Sequence, residues 1–376
     1  MKDSAIYIHI PFCDHKCIYC DFYSIITSDN INRFLSSLKK EILHYSKNYS
    51  PERIYSSIYF GGGTPSLMEP GYLREIILYL KDNYKISEKV EITMETNPGT
   101  VNKEKLELFS KAGINRISIG IQSFDNDDLT FLTRIHDKDI AVQTVLLASQ
   151  IGFENISIDL IFNLPGQTKE KWNMNLQKAV GLPVKHISAY SLILEKGTIL
   201  NKMVLDGKVA IHNDDYNAEL YELTIDFLAT NGFAQYEVSN FAKPGYECRH
   251  NNAYWRYRDY LSFGPSSHSF MDGRRWWNFS SLKNYLSEIE KNGSAVANFE
   301  NISNEMALNE YIMLALRSNG LDLNEFEQKF GCSWLLQKKN FLAKLLEQKL
   351  ILSNNKFISL TPKGYAICDE ILSRLL

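Results

Sequence analysis

No run of apolar residues in this sequence is long enough to cross a bilayer. Neither charge is in excess, since 41 lysines and arginines stand against 44 aspartates and glutamates, a net of −3. That balance gives no support for an extended nucleic-acid-binding surface, and no nucleic-acid partner is expected. The opening Met1-Lys2-Asp3-Ser4 lacks the apolar core and cleavage site of a signal peptide, so the expected location is the cytoplasm. Cysteine is scarce, with six in 376 residues. Three of them crowd into eight positions, while Cys248, Cys332 and Cys368 are scattered. Such spacing is no disulfide framework, and in a reducing compartment a tight cluster reads as a metal site. Cys332 and Cys368 lie in amphipathic surroundings and are expected to be buried structural thiols. Internal repeats and low-complexity segments are also lacking.

What is present is an alternation of short apolar runs with helical patterns. The strand candidates are Ala5–Ile10, Ser57–Phe60, Val90–Glu95, Arg116–Ile121, Ile156–Phe162 and His186–Leu194. Between them, Ile31–His44, Tyr72–Asp82, Lys103–Lys111, Asp139–Gln150 and Lys169–Val180 carry helical periodicity. Strand–helix alternation predicts a parallel sheet with helices outside. Six units are fewer than the eight of a closed barrel, so the expected α/β fold is an open, TIM-like partial (β/α)6 barrel. Beyond it, Asp214–Asn231 reads as a long helix and Phe233–Val238 as a strand, and Lys243-Pro244-Gly245 marks a break. The expected organisation is a barrel over 1–245, an aromatic-rich segment over 246–300 and a C-terminal unit over 301–376. That last unit, with its helices and a hairpin over Leu350–Leu360, suggests an α+β winged-helix-like domain. Its mixed charge favours packing or interaction over DNA binding.

Cys13-Asp14-His15-Lys16-Cys17-Ile18-Tyr19-Cys20 spells C-x3-C-x2-C directly after the first strand, at the mouth where barrels place their chemistry. Thiolates are the usual ligands of iron–sulfur clusters. Three thiolates on a four-iron cluster leave one iron open to a further ligand. A closed zinc site, the rival reading, needs a fourth ligand such as His15 or a distant cysteine. Gly61-Gly62-Gly63 follow the second strand, and glycines there let the backbone approach a ligand closely. A phosphate-binding P-loop is not indicated, because its Lys-Ser/Thr ending is missing. Glu95, Gln122 and Asp159 fall in or at the ends of strands, and Arg134 lies in the helical stretch after the fourth.

These motifs carry a family resemblance. Tyr7-Ile8-His9-Ile10-Pro11-Phe12-Cys13, the cysteine loop and Gly61-Gly62-Gly63-Thr64-Pro65-Ser66 resemble radical S-adenosylmethionine (SAM) proteins. The likeness is closest to the oxygen-independent coproporphyrinogen III oxidase family. It continues through Asn115–Phe124, Arg134-Ile135-His136 and Asp159–Thr168, so it covers nearly the whole chain. The resemblance implies a radical SAM barrel with a [4Fe–4S] cluster on Cys13, Cys17 and Cys20. It implies S-adenosylmethionine bound by Gly62, Gly63 and Thr64 at the methionine amino group. Glu95, Gln122, Arg134 and Asp159 would meet its ribose and carboxylate, Tyr19 would flank its adenine, and Tyr7 would lie near the cluster. In such proteins the cluster donates an electron to the sulfonium, releasing methionine and a 5′-deoxyadenosyl radical.

Within the family the sequence departs from the oxidases. They carry a fourth cysteine soon after the third, where this chain has Cys20-Asp21-Phe22-Tyr23-Ser24, and they carry a long extension before the first strand. His250-Asn251-Asn252-Ala253-Tyr254-Trp255 instead resembles the heme-binding H-N-x-x-Y-W string of the radical SAM heme chaperones. Imidazole suits heme iron, which makes His250 the expected ligand, with Cys248 and His268 as alternatives. The expected function is heme binding and delivery to respiratory heme apoproteins, with an electron donor as a further partner. The alternative is oxidative decarboxylation of coproporphyrinogen III. Whether the chain cleaves SAM in turnover, associates peripherally with a membrane or forms a homodimer is left open by the sequence.

Overall fold

Strands joined by helical crossovers pair in parallel and bury an apolar face against those helices. In the computed structural model of the chain, which describes residues 1–27 and 29–376, the six expected runs do this. β1 (Lys2–Ile10), β2 (Arg53–Gly62), β3 (Ile86–Thr96), β4 (Arg116–Gln122), β5 (Asn155–Phe162) and β6 (His186–Ser191) lie side by side in that order, all parallel. Six helices fill the crossovers: α1 (Ile31–Tyr49), α2 (Pro70–Asn83), α3 (Lys103–Ala112), α4 (Asn126–Phe131), α5 (Lys138–Ile151) and α6 (Lys169–Val180). Their boundaries follow from capping chemistry. Asn102 and Asp137 accept backbone N–H bonds at the starts of α3 and α5, and Gly113 and Gly152 end those helices in the left-handed conformation. One continuous apolar core joins Ile6, Ile8, Phe60, Ile117, Ile158 and Trp172 to the helices outside.

The sheet runs to twelve strands rather than six. Beyond β6 come two short antiparallel strands, β7 (Ala234–Gln235) and β8 (Asn240–Ala242). They replace the single strand expected over Phe233–Val238, because the chain reverses there and the Val238 N–H donates to Arg317 O in the C-terminal unit at 2.9 Å. On the other edge, β9 (Tyr260–Phe263) adds to β1 as a seventh parallel strand. It is followed by antiparallel β10 (His268–Met271), β11 (Arg274–Asn278) and β12 (Val296–Asn301). The aromatic-rich segment therefore extends the barrel sheet. β6 ends at Ser191, three residues short of the expected limit, and frees the residues after it for the mouth.

A buried carboxylate stitches this extension to the first crossover. Glu41 of α1 accepts from Tyr285 Oη at 2.7 Å, Asn278 Nδ2 at 2.6 Å and the Gly264 N–H at 2.9 Å. Residues 304–375 form a second apolar core around Tyr311, Ile312, Phe326, Trp334, Leu345 and Ile371. Helices Asn304–Leu316, Leu323–Phe330 and Ser333–Glu347 pack there with the sheet of β13 (Leu321–Asp322), β14 (Ile351–Ser353) and β15 (Phe357–Leu360), a winged-helix-like arrangement. Cys368 is buried as expected, but Cys332 is exposed, because it sits at the open start of the helix Ser333–Glu347.

Burial raises the Glu41 pKa to about 7, so the folded chain holds a proton there that the unfolded chain releases near 4.5. Its contribution to stability is complete below pH 4.5 and is lost as pH rises to about 7. Glu41→Ala leaves three buried donors without an acceptor, and the expected loss in chemical denaturation is on the order of 3 kcal/mol. Glu41→Gln should flatten the stability decline across that pH window.

Candidate cofactor-binding site

The cysteine loop leaves β1 at Ile10 and is fastened to the barrel by backbone bonds. Gly63 N–H donates to Ile10 O at 2.7 Å, and Thr64 N–H donates to Phe12 O at 2.8 Å. Cys13 N–H donates to Ile25 O at 3.0 Å, and Ile25 N–H returns to Pro11 O at 2.8 Å. Farther along, Ile18 N–H donates to Thr133 Oγ1 at 3.3 Å, and Leu200 N–H donates to Ile18 O at 2.9 Å. The loop is thereby pinned at both ends and in its middle.

The approach at Gly63 is possible only without a side chain. A Cβ there would lie 2.6 Å from Phe12 O and 3.0 Å from Cys13 Sγ. At Gly62 (φ 111°) a Cβ would meet the His9 ring at 2.7 Å. The glycine run is a cradle fitted beneath the cysteine loop.

The three thiols open onto one cavity of about 380 Å³ at the C-terminal mouth of the barrel. Tyr19, Gly62, Gly63, Thr64, Glu95, Gln122, Arg134 and Asp159 line the same cavity, so the structure brings together all but two of the expected site residues. Arg134 crosses its floor. It donates to Gly120 O at 2.7 Å and to Asn97 Oδ1, and it approaches Tyr19 Oη at 3.4 Å and Cys17 Sγ at 3.5 Å. Glu95 accepts from Tyr59 Oη at 3.0 Å and from the Gly62 N–H at 3.2 Å. Burial, reinforced by the neighbouring Asp159, pushes its pKa up to about 7. Burial likewise raises Asp159, which accepts from Ser118 Oγ at 3.2 Å. Gln122 ends β4 with φ 73°, beside an irregularity in the β4–β5 register, and such strain in a non-glycine residue concentrates at functional sites. The wall thus offers carboxylates, a guanidinium, backbone groups and an aromatic ring to a ligand bearing both charges.

Cys13, Cys17 and Cys20 are free thiols. Burial raises the pKa of Cys13, and it pushes that of Cys20 to about 11. Among the described residues, no three His, Cys, Asp or Glu groups converge on a point as a single metal ion requires. A four-iron cluster does not require that, since each thiolate binds its own iron. The donor set and the glycine cradle fit such a cluster.

Two expected site residues stand elsewhere. Tyr7 lines a second cavity, with its hydroxyl 3.2 Å from His9 Nδ1. His250 is 2% exposed and lies in neither cavity wall. Its Nδ1 pairs with Ser57 Oγ at 3.1 Å, its Nε2 pairs with Tyr254 Oη at 2.9 Å, and its ring stacks on Tyr59 with centroids 4.9 Å apart. Burial lowers its pKa to about 3, so the ring is neutral. To bind a metal it would have to surrender one of those bonds. Cys248 is also sealed, and burial pushes its thiol to about 12.

Sequence reasoning missed Asn97, Ser118, Gly120 and the run Tyr190–Ile193, all of which line the first cavity. The position of Tyr190 and Ser191 at the end of β6 was a usable signal, since ends of barrel strands face the site.

Comparison with known proteins identifies the family. A profile of the radical SAM superfamily matches residues 7–179, and one of the HemN C-terminal domain matches 302–367. The chain is 34% identical to the heme chaperone HemW of Lactococcus lactis over 100% of this chain and 98% of that protein. It is 33% identical to HemW of Bacillus subtilis over 99% of each. The chain belongs to the HemW family of radical SAM proteins. Membership of that superfamily implies a [4Fe–4S] cluster and S-adenosylmethionine. The structure of HemN from Escherichia coli, a radical SAM coproporphyrinogen III oxidase, shares the fold of this HemW family member with a TM-score of 0.85. It does so at 23% identity, covering 100% of this chain and 90% of that one.

Gly63→Ala tests the cradle. The added methyl must displace the cysteine loop, so iron retained after anaerobic reconstitution should fall several-fold while the melting temperature changes little. Unchanged iron content would show that the close approach at Gly63 is not needed.

Proposed function

We propose that the chain is a heme chaperone, which binds heme beside a [4Fe–4S] cluster and S-adenosylmethionine and hands heme to respiratory apoproteins. The observation that carries this reading is end-to-end likeness to curated heme chaperones, at 34% and 33% identity. The cysteine loop supports it, since Cys20 is followed by Asp21-Phe22-Tyr23-Ser24 and no fourth thiol.

In this reading Cys13, Cys17 and Cys20 hold the cluster, which supplies one-electron chemistry when bound. The residues of the chain position the sulfonium compound. Backbone groups of Gly62 and Gly63 with Thr64 receive its methionine amino group, and Arg134 faces its carboxylate, to which a guanidinium can give two parallel bonds. Glu95, Gln122 and Asp159 address the ribose and Tyr19 the adenine. An electron donor and a receiving apoprotein complete the set of partners. Among the described residues no helix is long and apolar enough to cross a membrane.

The test compares two capacities of one preparation. Reconstituted protein should bind heme and should leave coproporphyrinogen III unconverted under reducing, SAM-containing conditions. Efficient conversion with no heme retained would overturn the proposal in favour of an oxidase.

A further inference from the structure

We propose that Thr133 is a positioning residue. It fixes the cysteine loop and Arg134 in one geometry, so that a sulfonium compound meets the guanidinium and the open iron together. This rests on the cofactor reading above and deepens it. Thr133 follows α4 and is half-buried, with φ 56°. Left-handed backbone crowds a β-branched side chain, so such a residue is an outlier that its surroundings must hold in place. The helix end does not itself call for a threonine. Thr133 N–H donates to Thr130 O at 3.0 Å and Arg134 N–H to Leu129 O at 2.9 Å, the paired bonds that close a helix around one left-handed residue. α3 and α5 close with the same pair of bonds, and there the left-handed residues are Gly113 and Gly152. Glycine takes that conformation without strain, so what sets α4 apart is the threonine side chain.

The Thr133 hydroxyl reaches the cysteine loop twice. Its oxygen accepts the Ile18 N–H at 3.3 Å and lies 3.1 Å from His15 Nε2. His15 precedes Cys17 and Ile18 follows it, so the two contacts bracket that thiol. The residue after Thr133 is Arg134, whose guanidinium lies 3.5 Å from Cys17 Sγ and 3.4 Å from Tyr19 Oη on the cavity floor. Its Nε is buried without a partner among the described residues, which leaves a donor for a bound carboxylate.

The base of this clamp is anchored. Asp128 of α4 is buried and accepts from Ser123 Oγ at 2.8 Å, Gln167 Nε2 at 3.2 Å and Lys171 Nζ at 3.4 Å. These bonds tie the helix to the segments that follow β4 and β5 and to α6. With α4 held, the left-handed turn at Thr133 sets the direction of Arg134, and the hydroxyl sets where the loop carries Cys17. One residue thus fixes the separation between a cluster thiol and the group that faces the carboxylate of S-adenosylmethionine.

The test titrates S-adenosylmethionine into the reduced, cluster-loaded protein, read by electron paramagnetic resonance, beside iron content and melting temperature. Thr133→Val keeps the branched shape and loses the hydroxyl. It should retain wild-type iron, because the Gly63 and Thr64 bonds to the loop remain. It should nevertheless need about three- to tenfold more S-adenosylmethionine for half-saturation. Thr133→Ser keeps the hydroxyl and should bind as the wild type does. Thr133→Gly relaxes the backbone but loses the hydroxyl, so it should melt above Thr133→Val while binding S-adenosylmethionine as weakly. A purely structural role would instead make affinity follow melting temperature. Wild-type affinity in Thr133→Gly or in Thr133→Val would overturn this assignment alone, and the glycine variant keeps the test decisive should the valine protein not fold. Wild-type protein whose resonance ignores S-adenosylmethionine would overturn the cofactor reading as well.

Discussion

Close contact between the glycine run and the cysteine loop governs the rest of this molecule. Gly63 can donate to Ile10 O at 2.7 Å only because nothing projects from its α-carbon toward Phe12 O and Cys13 Sγ. That contact sets where Cys13 stands, and the bonds from Ile18 and Leu200 set where the chain carries Cys17 and Cys20. A loop without regular secondary structure, left to itself, would sample many thiol separations. Tied to β1, to the turn after β2 and to Thr133, it holds three thiols over one cavity. In the proposed reading, three thiolates and no fourth would leave one iron of the cluster open to a further ligand.

Below that loop the barrel interior is polar, at considerable energetic cost. Burial disfavours the charge on both Glu95 and Asp159, Asp159 adds to the effect on Glu95, and the buried Arg116 acts against it on both. The cost is offset by bonds to Tyr59, Gly62 and Ser118. The same polar column reaches the second cavity. Glu95 holds the Tyr59 hydroxyl, the Tyr59 ring stacks on His250, and His250 holds Tyr254 in the far wall. The two cavities are thus joined by a continuous series of contacts.

Much of this was legible in the sequence because its signals are local. The C-x3-C-x2-C spacing, the glycine run and the six apolar strands each depend on neighbours in the chain, and each falls where expected. Misses arose where tertiary context decides. β9 is four residues, Tyr260–Phe263, within an aromatic run that has no two-residue period, and it becomes a strand only because the edge of β1 is free to pair. Phe233–Val238 looks like one strand but breaks where Val238 turns to bond Arg317. Cys332 has amphipathic neighbours yet stands exposed at a helix start. His250 shows the limit most clearly. Its motif identified the residue, but whether its nitrogens are free depends on Ser57 and Tyr254, and Ser57 is 193 positions away along the chain.

The most direct measurement of the central claim is electron paramagnetic resonance of the reduced, anaerobically reconstituted protein before and after adding S-adenosylmethionine. The account predicts about four irons per chain, held by the three loop thiols. It also predicts a resonance that shifts when the sulfonium compound binds the iron without a protein thiolate. A reconstituted cluster whose resonance ignores S-adenosylmethionine, or zinc in place of iron at Cys13, Cys17 and Cys20, would contradict it.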